Sequence, residues 1–264
     1  MRLVYFLPIL LLTVFSCQPF KYSPTDLEYL DSNPEFNVAN LTRISAQARG
    51  PRKQFKIAVL ADTHIWYDEL EDFVDRINAD TTFDFVVLAG DFTKFGYADE
   101  YTLFTDIFTT LKAPGLAGIG NHDLQADGKT VYQRLFGPMD FSFTYRGAKF
   151  IFFNDNARGI DCCVPDFAWL ENELAGAGDS LAIIAVSHAA PESDQLDSAL
   201  SQRMIGLFAK YHVKLSIHGH SHNYDFGERY GDGVPYLIVD DIGDRNYAVV
   251  TWSDAGLTVE RIFF

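Results

Sequence analysis

Cysteine is scarce in this chain of 264 residues: only Cys17, Cys162 and Cys163 occur. None has the spacing of a zinc finger. Cys162 and Cys163 are neighbours, whose disulfide would be strained, and they read as free or loosely paired thiols. Positive charge is scarce too, with 21 Lys and Arg against 36 Asp and Glu, a formal net charge of -15. A field of that sign repels nucleic-acid phosphates and offers no basic tract for counterion release, which argues against nucleic acid as a partner. No internal repeat and no low-complexity run is present. No apolar run reaches the ~20 residues that a transmembrane helix needs.

The longest apolar stretch, Leu3 to Phe15, follows Arg2 and fits the hydrophobic part of a secretory signal. The stretch Val14-Phe15-Ser16-Cys17 then resembles a bacterial lipobox, in which the Cys becomes the lipidated first residue. A plain secretory signal with an incidental Cys is the alternative. The expected organisation is a lipoprotein signal peptide over 1–16, an N-terminal tether over 17–51 and one domain over 52–264. The tether is rich in Pro, Ser and Asn without sustained period, and its distal part is expected on the domain surface. Lipidated Cys17 would place the protein outside the cytoplasm on a bacterial membrane, in the periplasm or at the cell surface.

Hydrophobic content of 48% suffices for one well-packed domain. Strands are expected at Phe55–Ala61, Phe85–Ala89 and Leu116–Ile119, with helices at Asp68–Asn78 and Tyr101–Leu111 between them. This βαβαβ order argues for parallel strands. Phe141–Tyr145 and Ala148–Phe153 flank Arg146-Gly147 and read as a hairpin. A helix follows at Asp166–Leu174, a strand at Leu181–Val186, a helix at Leu196–Ala209 and a strand at Val213–Ile217. Three more strands close the chain: Tyr236–Val239, Tyr247–Trp252 and Leu257–Phe263. The expected class is α/β, with two mixed sheets packed face to face and covered by helices.

The chemistry-bearing residues stand where strands stop. Asp62-Thr63-His64 follows the first strand and Gly90-Asp91 the second. Gly120-Asn121-His122-Asp123 follows the third, Ser187-His188 the Leu181 strand, and Gly219-His220-Ser221-His222 the Val213 strand. Ligands of open α/β sheets gather at that carboxyl edge. Imidazole nitrogen and carboxylate oxygen suit Zn, Mn, Fe or Ni. One carboxylate can bridge two ions, and an Asn carbonyl donates oxygen without adding charge. Two ions ~3.5–4 Å apart can acidify a shared water and clamp an in-line displacement at phosphorus. The glycines before Asp91, Asn121 and His220 are expected to let the backbone turn sharply.

These five motifs, in this order, resemble the calcineurin-like metallophosphoesterase family from about Phe55 to Asn223, with Trp169-Leu170-Glu171 as a minor echo. The resemblance implies a four-layer αββα sandwich with a dinuclear metal centre at the carboxyl ends of the strands. It implies that Asp62, His64 and His222 hold one ion, that Asn121, His188 and His220 hold the other, and that Asp91 bridges them. His122 would face the leaving-group oxygen, and Asp123 would support the loop or polarise His122. The implied reaction is hydrolysis of phosphomono- or phosphodiesters of a small substrate by a metal-bridging hydroxide. The competing readings are a catalytically silent, surface-anchored binding protein on the same fold, which would have lost ligands, and a mononuclear hydrolase, which leaves Asn121 and two histidines unexplained.

Two subfamilies fit poorly. Purple acid phosphatases carry a Tyr three residues after the bridging Asp, where this chain has Lys94. Serine/threonine phosphatases continue that Asp differently from Phe92-Thr93-Lys94-Phe95-Gly96. His212 is read as a surface residue and His218 as a satisfied strand-end histidine or a group donating to a ligand. Arg158 and Arg245 are read as solvated loop residues that could meet a phosphate.

Overall fold

A computed structural model describes residues 35–48, 53–158, 164–178 and 180–264. The expected signal segment, Cys17, Cys162 and Cys163 lie outside the described residues. The first sheet holds five strands in the order β11 (Gly256–Phe263), β10 (Asn246–Ser253), β1 (Phe55–Leu60), β2 (Phe85–Leu88) and β3 (Gly115–Ala117). The second holds six, in the order β4 (Phe141–Tyr145), β5 (Ala148–Phe152), β6 (Ala182–Val186), β7 (Leu215–His218), β9 (Pro235–Ile238) and β8 (Asp225–Glu228). β1, β2 and β3 run parallel, as do β5, β6, β7 and β9; β10, β11, β4 and β8 pair antiparallel, so both sheets are mixed.

Alternation along the strands builds the layers. Phe55, Ile57 and Val59 of β1 enter the core between the sheets, while Ala58 and Leu60 face helices. Phe150 and Phe152 of β5 meet the first set, and Ile151 turns to the opposite layer. Period-two patterning that is apolar on both faces buries each sheet twice. α2 (Tyr67–Ala79), α3 (Ala98–Phe108) and α4 (Gly128–Leu135) cover the first sheet. α5 (Phe167–Ala175) and α6 (Ser198–Lys210) cover the second. On α2 the stripe Leu70, Phe73, Val74 and Ile77 is buried, the spacing of one helix face. The result is the αββα sandwich that the sequence implied.

The distal part of the segment expected to be a tether lies on the domain, as an ordered helix. Phe36–Gln47 forms α1, so packed structure begins ahead of residue 52. Asn37 carries the dock: its side-chain amide donates to the Ala117 carbonyl at 2.9 Å, and its Oδ1 accepts the Ala117 N–H at 2.9 Å. One side chain thereby pairs with the open edge of β3 as a neighbouring strand would, covering an exposed edge. Phe36 packs against Phe108 and Phe136, and Ile44 is buried in the core between the sheets. The helix has no side-chain N-cap and a weak apolar face, so its order comes from docking rather than propensity.

Candidate metal centre

The carboxyl ends of β1, β2 and β3 in one sheet meet those of β6 and β7 in the other. An isolated parallel bridge between Ala61 and Asp241 joins the sheets at this end. The backbone there is unusual: Asp62 (φ 52°), His64 (39°), Asp91 (57°), His220 (70°) and His222 (48°) all lie in the left-handed region. Outside glycine that conformation costs of order 1–3 kcal/mol per residue and gathers at functional sites. Glycine turns the chain at only one of the three positions where it was expected to. Gly90 does take a positive φ, but at Gly120 and Gly219 space decides. A Cβ on Gly120 would stand 2.1 Å from Asp91 Oδ1, and one on Gly219 2.5 Å from Asp62 Oδ2. These two glycines are gaps through which the carboxylates reach in.

Seven of the nine expected site residues form donor groups here; Asp123 braces the Asp91 turn, and Asn121 lies between Gly120 and His122 with its Oδ1 buried. One donor group is Asp62, His64 and His222; another is Asp91, His188 and His220; His122 joins His64 and Asp91. His64 Nε2 and His222 Nε2 are 3.5 Å apart, and His222 Nε2 is 3.2 Å from Asp62 Oδ1. On the other side, His220 Nδ1 and His188 Nε2 are 3.3 Å apart, and His188 Nε2 is 3.1 Å from Asp91 Oδ2. Asp91 Oδ2 also lies 4.0 Å from His64 Nε2, so one oxygen faces both groups. Its other oxygen accepts the His122 backbone N–H at 2.8 Å, which fixes the carboxylate. Asp62 Oδ2 likewise accepts the His220 N–H at 2.9 Å.

The rings are aimed by their outer nitrogens. His64 Nδ1 donates to the Thr93 carbonyl at 2.9 Å and His188 Nδ1 to the Ala89 carbonyl at 2.8 Å. A carbonyl only accepts, so each Nδ1 bears a hydrogen, and Nε2 is the nitrogen that faces inward. His220 is reversed. Its Nε2 donates to Asp194 Oδ1 at 2.7 Å, leaving Nδ1 toward the site. His222 Nδ1 stands 3.1 Å from Asp241 Oδ2. His122 Nδ1 donates to the Lys94 carbonyl at 2.8 Å, and its ring packs edge-on against His64 with centroids 4.9 Å apart.

Asp123 is fully buried and accepts from Asp91 N, Thr93 N, Thr93 Oγ1 and Gly120 N at 2.8 to 2.9 Å. Of its two expected roles, the structure shows loop support; His122 is oriented instead by Lys94 O. Asp155, also buried, accepts the backbone N–H groups of His188 and Ala189 and locks that turn. Sequence reading missed Asp155, Asp194 and Asp241, which sit in loops with no periodic signal. Burial and the neighbouring Asp91 charge push Asp123 up to about 8. For His188, burial opposes the charged ring, yet Asp91 raises it to about 10.

His218 is buried between two serines, with Nδ1 3.2 Å from Ser187 Oγ and Nε2 2.8 Å from Ser216 Oγ, and is a satisfied strand-end histidine. Burial lowers it to about 3. Arg158 pairs with Asp194 and so braces the partner of His220. Arg245 pairs with Asp72 and stacks on Phe264, binding a loop to α2. Leu170 fills the core and Glu171 pairs with Lys210 on the surface.

The donor groups are of a kind that could hold metal ions. Asp62 Oδ1 and Asn121 Oδ1 are buried and make no hydrogen bond. An unpaired buried polar atom costs ~1–3 kcal/mol. The inward nitrogens of His64 and His222, and of His188 and His220, face one another at 3.5 and 3.3 Å. Cations would turn both liabilities into bonds, and nitrogen with oxygen donors suits borderline metals. The clustered residues suggest a dinuclear metal site. Beside His220 and His222 opens a cleft of about 580 Å³, lined by Ala190, Pro191, Ser221, Asn223, Arg229 and Tyr230 among others.

Two mixed sheets flanked by helices, with this cluster where their strand ends meet, define the metallophosphoesterase fold. The chain belongs to the calcineurin-like phosphoesterase family, whose family model matches residues 55–224. Solved structures share the fold at low identity. A purple acid phosphatase from yellow lupin (Lupinus luteus) seeds is 15% identical with a TM-score of 0.65, over 79% of this chain and 51% of that one. This chain therefore spans about half the length of the lupin enzyme. GAP50, described as the anchor in the inner membrane complex of Plasmodium, is 16% identical with a TM-score of 0.62, over 80% and 84% of the two chains. TT1561 of Thermus thermophilus is 16% identical with a TM-score of 0.54, over 78% and 98%. The comparison with curated proteins finds no match.

Proposed function

We propose that the protein hydrolyses phosphate esters with the help of two cations. The observation that carries this reading is the pair of converging donor groups that share Asp91 Oδ2. Asp62, His64 and His222 would hold one ion, Asn121, His188 and His220 the other, and Asp91 both. Bound there, two such cations, among Mn, Fe, Zn or Ni, supply an acidified water and positive charge at the phosphoryl oxygens.

The remaining work belongs to the chain. The carbonyls of Thr93 and Ala89 hold two imidazoles in the ligating tautomer, so no side chain reorganises during turnover. His122, held at Nδ1, is placed to stabilise the departing oxygen through its other nitrogen and, when protonated, to hand it a proton. No side-chain nucleophile is needed. Lys94 stands where a purple enzyme has its tyrosinate, so the protein is expected to lack that colour.

The test is metal analysis paired with hydrolysis of bis(p-nitrophenyl) phosphate and p-nitrophenyl phosphate. Two equivalents of metal with diesterase or monoesterase turnover support the proposal. A folded protein carrying two equivalents yet inert toward both, and toward other phosphorylated compounds, would instead be a silent binding relative. GAP50 is described as an anchor, which gives that alternative a precedent in the fold; the complete ligand set and His122 weigh against it here. We further propose that Cys17 is lipidated and holds the protein on the outer side of a bacterial membrane. Cys17→Ser should then release it from the membrane fraction.

A further inference from the structure

Four large apolar side chains stand exposed in the two loops that leave the candidate site at His64 and Lys94: Ile65 (54%), Trp66 (43%), Phe95 (51%) and Tyr97. Ile65 and Trp66 follow directly on His64. Phe95 and Tyr97 follow Lys94, whose carbonyl orients His122. Both loops therefore border the imidazole assigned to the departing oxygen. The cleft beside His220 lies at the other donor group and has a more polar lining.

The aromatic loop is rigid despite its exposure. The Glu100 carboxylate accepts the backbone N–H groups of Lys94, Phe95 and Tyr97 at 2.9 to 3.2 Å. Gly96 lies against Gln125, where a Cβ would stand 2.3 Å from the carbonyl oxygen. Phe95 and Tyr97 stack loosely, with ring centroids 5.8 Å apart. The second loop is held as tightly: Trp66 N donates to Thr63 O at 2.8 Å, and the indole packs over Gly243. The helices that follow the two loops, α2 and α3, pack in one core through Leu70, Phe73, Tyr101 and Phe104. A fixed apolar surface offers contact area without the entropic cost of ordering it.

We propose that this rim binds the leaving alcohol, and that the preferred substrates are phosphodiesters whose leaving group is apolar and ring-bearing. The inference rests on the phosphoesterase reading above. Hydrolysis forms one P–O bond from water and breaks the P–O bond to that alcohol. One proton of the water ends on the alcohol; the other stays on, or ionises from, the phosphomonoester left behind. Continuity with His122 assigns the rim to the leaving group rather than to the group that stays esterified.

The test compares methyl 4-ethylphenyl phosphate with methyl 4-hexylphenyl phosphate. The two phenols are almost equally acidic, so the chemistry is matched and only four methylenes differ. Partial burial of those carbons should raise kcat/KM about tenfold for the hexyl ester. Phe95→Ser and Trp66→Ser should each cut that ratio to about threefold, and the double variant to within about twofold of unity. Because Trp66 packs on Gly243, Phe95→Ser is the safer variant for folding. A wild-type ratio near one, or a ratio unmoved by the double variant, overturns the proposal. So does loss of binding to phosphatidylcholine vesicles in the double variant with the ratio intact, since the rim would then be a membrane contact. Equal turnover of both esters sinks this inference alone, whereas a protein with two equivalents of metal that cleaves neither, nor either p-nitrophenyl ester, sinks the esterase reading with it.

Discussion

Loading the site with metal should expel protons, and by an amount the geometry sets. In the metal-free protein burial disfavours charge on His188, but Asp91 Oδ2 at 3.1 Å outweighs it and holds the ring at about 10. Burial would raise Asp91 in turn; the His188 charge overrides this and takes it down to about 2. A cation that takes the His188 Nε2 lone pair must evict its proton. At pH 7 that removal opposes binding and lowers the affinity. Affinity for the second ion should therefore rise about tenfold per pH unit from pH 7 upward, levelling near pH 10. Asp123, held near 8, adds part of a second proton. About one to two protons should appear per protein loaded at pH 7. Stability follows the same sign. Both groups sit above their unfolded values, so the stability they lend is full only below those values, falls as pH rises from there and is gone above about 8 for Asp123 and about 10 for His188, while Asp91, held down, loses its share only in strong acid. Metal-free protein should soften at alkaline pH, and metal-loaded protein should not. Titration calorimetry with Zn²⁺ in two buffers of different ionisation heat counts the protons, and His188→Ala should release about one fewer. Identical heats in both buffers would show that His188 is not a protonated group displaced by metal.

Asp91→Asn weakens the one oxygen shared by both donor groups; bound metal should fall below about one equivalent and turnover by about 10³ or more, so retained full activity would end the bridging role. His122→Ala should keep two equivalents of metal and lower kcat about 10²–10³-fold with little change in KM, as expected for a group acting on the departing oxygen. Asn37→Ala removes two hydrogen bonds to the backbone of β3 and should cost about 2 kcal/mol in urea unfolding while the folded fraction keeps its specific activity. A shift well under ~0.5 kcal/mol would mean that α1 rests on the domain without supporting it.

The sandwich was legible because several core strands, such as Phe85–Leu88 and Ala182–Val186, are short apolar runs rich in β-branched residues, and their length and flanking turn residues set them apart from helices. α5, β6, β10 and β11 were legible as elements from the same signal, but the parallel pairing of β5 with β6 and the antiparallel pairing of β10 with β11 were not. α1 and α4 were not legible. α4 opens on Gly128 and spans only eight residues, and α1 buries two asparagines, Asn37 and Asn40, where a helix face normally shows aliphatic side chains. A polar residue whose role is to cap a sheet edge 80 positions away leaves no local trace in sequence. β8 was missed for a related reason: it is an edge strand with alternating exposure and contributes little apolar pattern.

The donors themselves were readable because each directly follows a strand, and the fold turns chain order into convergence. Their aim was not readable, because it depends on contacts made across loops: Ala89 O for His188, Thr93 O for His64, Asp194 for His220 and Asp241 for His222. Nor was the division of labour between glycine and its neighbours. Glycines supply the empty volume at Gly120 and Gly219, while Asp62, His64, Asp91, His220 and His222 themselves carry the left-handed backbone. Five such residues represent several kcal/mol of conformational cost. That cost is tolerated because β1, β2 and β7 are locked in buried sheets just upstream and leave each turn little freedom. The strain is thus met during folding, which fixes the ligand set before any cation arrives. A site assembled in advance in this way binds metal without reorganising its backbone, and the work left to binding is the removal of protons and water.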